Sequence, residues 1–212
     1  MRTSIIIVVL SLACAFLGAG EHLQWMRGGP WWRLGTASIA HWSLDQTIWD
    51  SLAFLALAFA AARRWPVRFY ATLIASAIGI PLVIAIGARS VMTYRGLSGV
   101  DSALFALACV RVLVEDTRPR LSNVTSDRRG RLSSIRIVIV ACAIAFALKI
   151  TFEYLTGATL FVQHLAPGVE PLPVAHVAGA IVGVLSSLPW SKSNERWFSW
   201  RALSPRAPLS SR

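Results

Sequence analysis

Apolar side chains fill six stretches of the chain, at about 4–20, 44–62, 68–87, 97–114, 134–155 and 172–190, with charged or turn-forming residues between them. A helix of roughly 20 residues crosses about 30 Å of hydrocarbon, and each stretch approaches that length. The pattern predicts an all-α polytopic membrane protein. Residues 1–190 read as one six-helix membrane domain and residues 191–212 as a basic tail. Arg2 followed by an apolar run and Gly18-Ala19-Gly20 has the outline of a signal peptide. The run is long for one and has no clean Ala-x-Ala cleavage site, so a retained helix is expected.

Composition agrees with a membrane protein: of 212 residues, 55% are hydrophobic and 15% charged, and the mean hydropathy is +0.58. The net charge of +11 suggests nucleic acid until its placement is read. Arg2, Arg63, Arg64, Arg68, the cluster from Arg118 to Arg136 and the tail from Lys192 to Arg212 fall on one side of the spans. These are 15 basic residues against four (Arg27, Arg33, Arg89 and Arg95) on the other side. The positive-inside rule then puts both termini in the cytoplasm, the connections near 21–43, 88–96 and 156–171 outside, and makes the lipid bilayer the partner, with no nucleic acid. The tail carries Trp197 and Trp200 and reads as an interfacial anchor on acidic lipids. Without an internal repeat, a transporter of inverted halves loses its support.

Chemistry enters at two places. Tyr94-Arg95-Gly96-Leu97-Ser98-Gly99 opens the fourth stretch, and His176, Gly179 and Gly183 open the sixth at i, i+3 and i+7. Each motif alone describes ordinary close-packed membrane helices. Together they put a nucleophile and a base at matching depth on the same side, as hydrolysis within a bilayer requires. Gly96 and Gly99 let a loop turn into a helix at Ser98, whose backbone N–H near a helix N-terminus is free to meet an oxyanion. Ser98, Ser102, Ala106 and Cys109 form a stripe of small residues suited to packing against Gly179 and Gly183. Cys14, Cys109 and Cys142 lie inside apolar stretches as packing residues. His22, His41 and His164 have no metal-ligand spacing, so no metal or other cofactor is implied.

These motifs resemble those of rhomboid intramembrane serine proteases. The resemblance matches Gly96–Gly99 to the Gly-x-Ser-Gly of the nucleophile and His176, Gly179 and Gly183 to the His-x-x-Gly-x-x-x-Gly of the base. It also matches Trp32-Arg33 in the first outer connection and His41 before the second helix. Lys149-Ile150-Thr151-Phe152-Glu153, Val174-Ala175-His176-Val177-Ala178-Gly179 and Trp49-Asp50 are similar to the rhombosortase branch.

The resemblance implies a rhomboid-like six-helix bundle and a catalytic dyad of Ser98 and His176. The substrates it implies are membrane-anchored proteins with a carboxy-terminal tail made of a glycine-rich motif, one transmembrane helix and a basic cluster. The other function class it allows is an inactive rhomboid-like protein that binds transmembrane helices.

Three positions depart from the usual rhomboid pattern. Counting from His41, the two oxyanion-assisting side chains become Gln46 and Asp50. Gln46 retains an N–H donor, whereas an ionised Asp50 repels an oxyanion and serves only if protonated, by orienting a neighbour, or by hydrating the cavity. Ser102 replaces an aromatic residue that stacks on the imidazole, and a hydroxyl there is able to hydrogen-bond His176 instead. Asp101 is either a third catalytic member or a residue of a polar pocket. Lys149 and Glu153, at i, i+4 in the fifth stretch, read as an ion pair, structural or part of a substrate-docking surface.

Overall fold

The computed structural model describes residues 2–117, 126–160 and 172–188. The basic tail, His164 and residues 118–125 of the polar connection lie outside these residues. In chain order the elements are α1 (Arg2–Phe16), α2 (Gly20–Leu23), β1 (Trp25–Met26), α3 (Arg33–Thr36), a 3-10 turn (Ala37–Ile39), α4 (Leu44–Arg64), α5 (Pro66–Gly87), β2 (Thr93–Tyr94), α6 (Ser98–Thr117), α7 (Ser126–Thr156) and α8 (Pro173–Ser187).

Local chemistry sets the boundaries. Ser43 has extended backbone and its Oγ accepts from the Gln46 N–H at 3.1 Å, a side-chain cap for the start of α4. Trp65 precedes Pro66 and so leaves the helical region (φ −138°, ψ 62°), which separates α4 from α5. Pro66 and Pro173 occupy first-turn positions, where a missing N–H costs nothing.

α6 runs through the middle of the bundle. Val100, Ala103, Leu104 and Leu107 are buried against Phe54, Ala58 and Phe69 of α4 and α5 and against α8. α6 and α8 make the closest approach. A Cβ on Gly179 would overlap the Gly99 carbonyl oxygen, and one on Gly183 would overlap that of Ala103, so the two backbones touch along small residues.

The outside of the bundle is apolar. Ile74, Ile78 and Ile86 on α5 and Ile137, Ile144 and Leu148 on α7 are all more than half exposed. Such a surface needs hydrocarbon as its solvent. By length and composition two helices suffice to cross a membrane, Pro66–Gly87 and Arg136–Thr156; Arg2–Phe16 and Pro173–Ser187 are apolar but shorter. The other two of the six expected spans carry charge within them, Asp50 on α4 and Asp101 and Arg111 on α6. Arg111 is paired: its Nη2 donates to Glu115 Oε1 at 2.8 Å, and Arg64 reaches Glu115 Oε2 at 3.0 Å.

The all-helical expectation misses one feature. β1 and β2 pair antiparallel, Trp25 with Tyr94 and Met26 with Thr93. Two connections lie side by side at this end of the bundle, and pairing satisfies backbone groups that a loop would leave open. Arg27 extends the join. Its guanidinium donates to the carbonyls of Ala85 (2.8 Å), Ala88 (2.9 Å) and Val91 (3.2 Å), closing the C-terminal end of α5. At the opposite end, Arg68 Nη1 donates to Ser186 and Leu188 carbonyls at 2.6 and 2.7 Å and ties the start of α5 to the end of α8.

Candidate active site

The β2–α6 junction aims Ser98. Gly96 has φ +123°, a backbone region that side chains rarely adopt, and this lets the strand turn into the helix within three residues. Two contacts hold the turn: the Gly96 N–H donates to the Ala37 carbonyl at 3.1 Å and Tyr94 OH donates to the Gly96 carbonyl at 3.0 Å. Burial, with the Asp50 and Asp101 carboxylates adding to it, pushes the Tyr94 phenol above its usual range, so it stays a neutral donor. Arg95 stacks on Trp42, 3.9 Å from the ring centroid, and its Nε donates to Gln24 Oε1 at 2.8 Å.

Ser98 is the first residue of α6, so its N–H has no intrahelical acceptor. A Cβ built on Gly96 would lie 2.9 Å from Gln46 Nε2, 3.6 Å from Asp50 Oδ2 and 3.8 Å from Ser98 Oγ. An amide, a carboxylate and the serine hydroxyl therefore converge on the space beside Gly96. The Trp42 N–H donates to Gln46 Oε1 at 3.0 Å, which assigns the amide's oxygen and turns its NH2 toward that space.

Asp50 faces buried His41. Its Oδ2 lies 3.3 Å from His41 Nε2 without a hydrogen bond, and that nitrogen accepts from the Leu97 N–H at 3.4 Å. A chain of contacts thus runs from Asp50 through His41 to the residue before Ser98.

His176 enters from the first turn of α8 and is 9% exposed. Ser102 Oγ donates to the Ser98 carbonyl at 2.7 Å and lies 3.0 Å from His176 Nδ1. A hydroxyl has one proton. With that proton on the Ser98 carbonyl, Ser102 accepts from Nδ1–H, and the lone pair of the neutral imidazole falls on Nε2. Phe146 of α7 meets the imidazole edge-on, with ring centroids 6.4 Å apart. Among the described residues, no hydrogen bond joins the Ser98 hydroxyl to His176. Both side chains open onto one cavity of ≈ 710 Å³, which Gln46, Asp50, Asp101 and Ser102 also line. Asp101 is buried, its Oδ1 lacks a hydrogen-bond partner, and it makes no bond to His176.

Glu153 was not expected at this place. The Lys149–Glu153 pair forms, with Nζ to Oε1 at 2.7 Å, but Glu153 Oε2 lies 3.5 Å from His176 Nε2. Spacing within α7 is enough to read the pair, whereas nothing in that spacing says which helix its second oxygen faces. Gly99 and Gly179 sit directly behind the site, where a Cβ on Gly99 would come within 3.2 Å of the Ala175 carbonyl oxygen.

Residues 28–193 match the family model described as the Rhomboid domain. The chain belongs to the rhomboid family. No curated protein matches it. Rhomboids are integral membrane proteins, typically serine proteases that cut membrane-embedded substrates within the bilayer, with inactive homologues among them. The apolar surface of α5 and α7 suits this rhomboid to the same environment.

Proposed function

We propose that this rhomboid is an intramembrane serine endopeptidase with Ser98 as nucleophile and His176 as general base. The observation that carries the reading is the cavity that Ser98, His176 and Gln46 share, with the His176 tautomer fixed by Ser102. Ser98 Oγ attacks the scissile carbonyl as its proton passes to His176 Nε2. The carbonyl electrons move to oxygen, and that oxyanion is met by the Ser98 N–H and the Gln46 amide. Collapse expels the amine, which takes the proton from His176, and water then hydrolyses the acyl-enzyme by the same route reversed. The Michaelis complex draws Ser98 Oγ and Nε2 into hydrogen-bond distance, a contact that is often long in a free enzyme. Asp50 is directed at His41 and, through it, holds the loop before Ser98.

Six helices cross the membrane in this reading, with both termini in the cytoplasm of a bacterial inner membrane, so the site opens near the outer surface. Substrates are membrane-anchored proteins. The likeness of residues 149–153 and 174–179 to the rhombosortase branch favours glycine-rich carboxy-terminal sorting tails as the segment removed.

The test is cleavage of a co-expressed protein bearing such a tail. Ser98→Ala and His176→Ala each abolish cleavage while still inserting in the membrane. Wild-type processing by Ser98→Ala overturns the protease reading, and a wild-type protein that binds the tail without cutting it supports an inactive relative.

A further inference from the structure

The carboxylate of Glu153 is held by one oxygen and free at the other. Oε1 accepts from Lys149 Nζ at 2.7 Å, an i, i+4 contact within its own helix. Oε2 is buried, accepts no hydrogen bond, and lies 3.5 Å from His176 Nε2. A side chain only 3% exposed with an unpartnered oxygen is costly unless another state of the site uses that oxygen.

The tautomer says which state. In the resting site Nε2 carries a lone pair, so the carboxylate faces another lone pair and gains nothing. Once Nε2 takes a proton, the same 3.5 Å contact joins an imidazolium to a carboxylate. We propose that Glu153 is a positioning residue of the catalytic site, acting through His176 by stabilising the imidazolium that forms as Ser98 is deprotonated. The inference rests on the reading of Ser98 and His176 as nucleophile and base.

Two tasks that one aspartate performs in a serine-protease triad are divided here: Ser102 fixes the tautomer through Nδ1, and Glu153 meets the charge at Nε2. The interaction is absent in the ground state and present in the transition state, the kind that raises turnover without tightening binding. Of the other charged groups lining the cavity, Asp50 is turned to His41, Arg95 is stacked on Trp42 and bonded to Gln24, Asp101 makes no bond to the imidazole, and Lys149 is ion-paired with Glu153.

A fluorophosphonate probe tests this without a known substrate. Its phosphorus–fluorine bond breaks as the serine oxygen bonds to phosphorus, and the serine proton goes to the base. Purified protein is titrated with the probe, and the maximal labelling rate is separated from the half-saturating concentration. E153Q labels roughly 10- to 100-fold more slowly at saturation, with the half-saturating concentration unchanged.

The double variant K149M/E153Q removes both charges, so no unpaired ion stays buried and its melting temperature returns toward that of wild type. A purely structural pair would regain wild-type labelling in that variant; here labelling stays slow. Wild-type labelling by E153Q, or by the double variant, overturns the role of Glu153. Unchanged labelling of S98A, or none of the wild type, overturns the nucleophile reading itself and Glu153 with it.

Discussion

Replacing Gly183 by alanine tests the site from a distance, since Gly183 lies two turns from His176 and touches no proposed reacting group. An added Cβ would overlap the Ala103 carbonyl oxygen and come within 2.9 Å of both the Ala103 carbonyl carbon and Ala106 Cβ. Ordinary contact begins near 3.4 Å, so α6 and α8 must part by at least half an ångström, and by more to clear the oxygen. None of the three atoms belongs to a side chain that is able to rotate away. Overpacking of this kind costs about 1–3 kcal/mol, or roughly 2 to 12 °C in Tm for a protein of this size. Since α8 carries His176 and α6 carries Ser98, the same shift misaligns base and nucleophile. A displacement approaching 1 Å lowers kcat by roughly 100-fold, and a smaller one by roughly tenfold. Differential scanning fluorimetry in detergent measures the first effect, and cleavage of a tailed reporter the second. Gly87→Ala is the control, because a Cβ there meets nothing within 4 Å. Wild-type Tm and turnover in Gly183→Ala would refute the backbone contact between α6 and α8.

Gln46→Ala lowers kcat by roughly 10- to 1,000-fold, the range for loss of one oxyanion donor, as read by reporter cleavage. Equal rates would leave the Ser98 N–H as the sole donor. Cysteines introduced at 88–96 in a background without the native three label from outside with an impermeant thiol reagent, and those at 120–130 do not; the reverse pattern overturns the orientation. Arg68→Ala removes two charge-assisted bonds to the end of α8 and destabilises by about 1.5–3 kcal/mol per bond at most, seen as a lower Tm. Turnover of its folded fraction stays near wild type, because Arg68 and the cavity lie at opposite ends of α5.

Small residues at helical spacing are readable because close packing needs them whatever the partner, so Ser98, Gly99, Gly179 and Gly183 announce a tight helix pair before any fold is known. The position of Ser102 likewise follows from one turn of helix after Ser98. What spacing does not carry is azimuth between helices. Glu153 reads as the partner of Lys149 from its own helix, and only the rotation of α7 against α8 brings its second oxygen to His176. Arginines suffer the same loss: Arg27 and Arg68 count as charges in a topology rule, while their hydrogen bonds to the ends of α5 and α8 depend on which helix termini come near. Strands of two residues, such as Trp25–Met26, have no periodicity to read at all. Asp50 gave its chemistry but not its neighbour, since His41 reaches it through a turn of the chain rather than along α4.

The pairing of Trp25–Met26 with Thr93–Tyr94 has a consequence for how such proteins are able to change. The turn that aims Ser98 is continuous, through one backbone ladder of two residue pairs and the Arg27 N–H on the Met92 carbonyl, with a segment some seventy positions earlier in the chain. The nucleophile loop is therefore not portable: moved alone into another scaffold, it leaves half of its support behind. Exchange between homologues should succeed only when residues 25–27 and 93–96 travel together, so recombination and drift are constrained at two distant places at once.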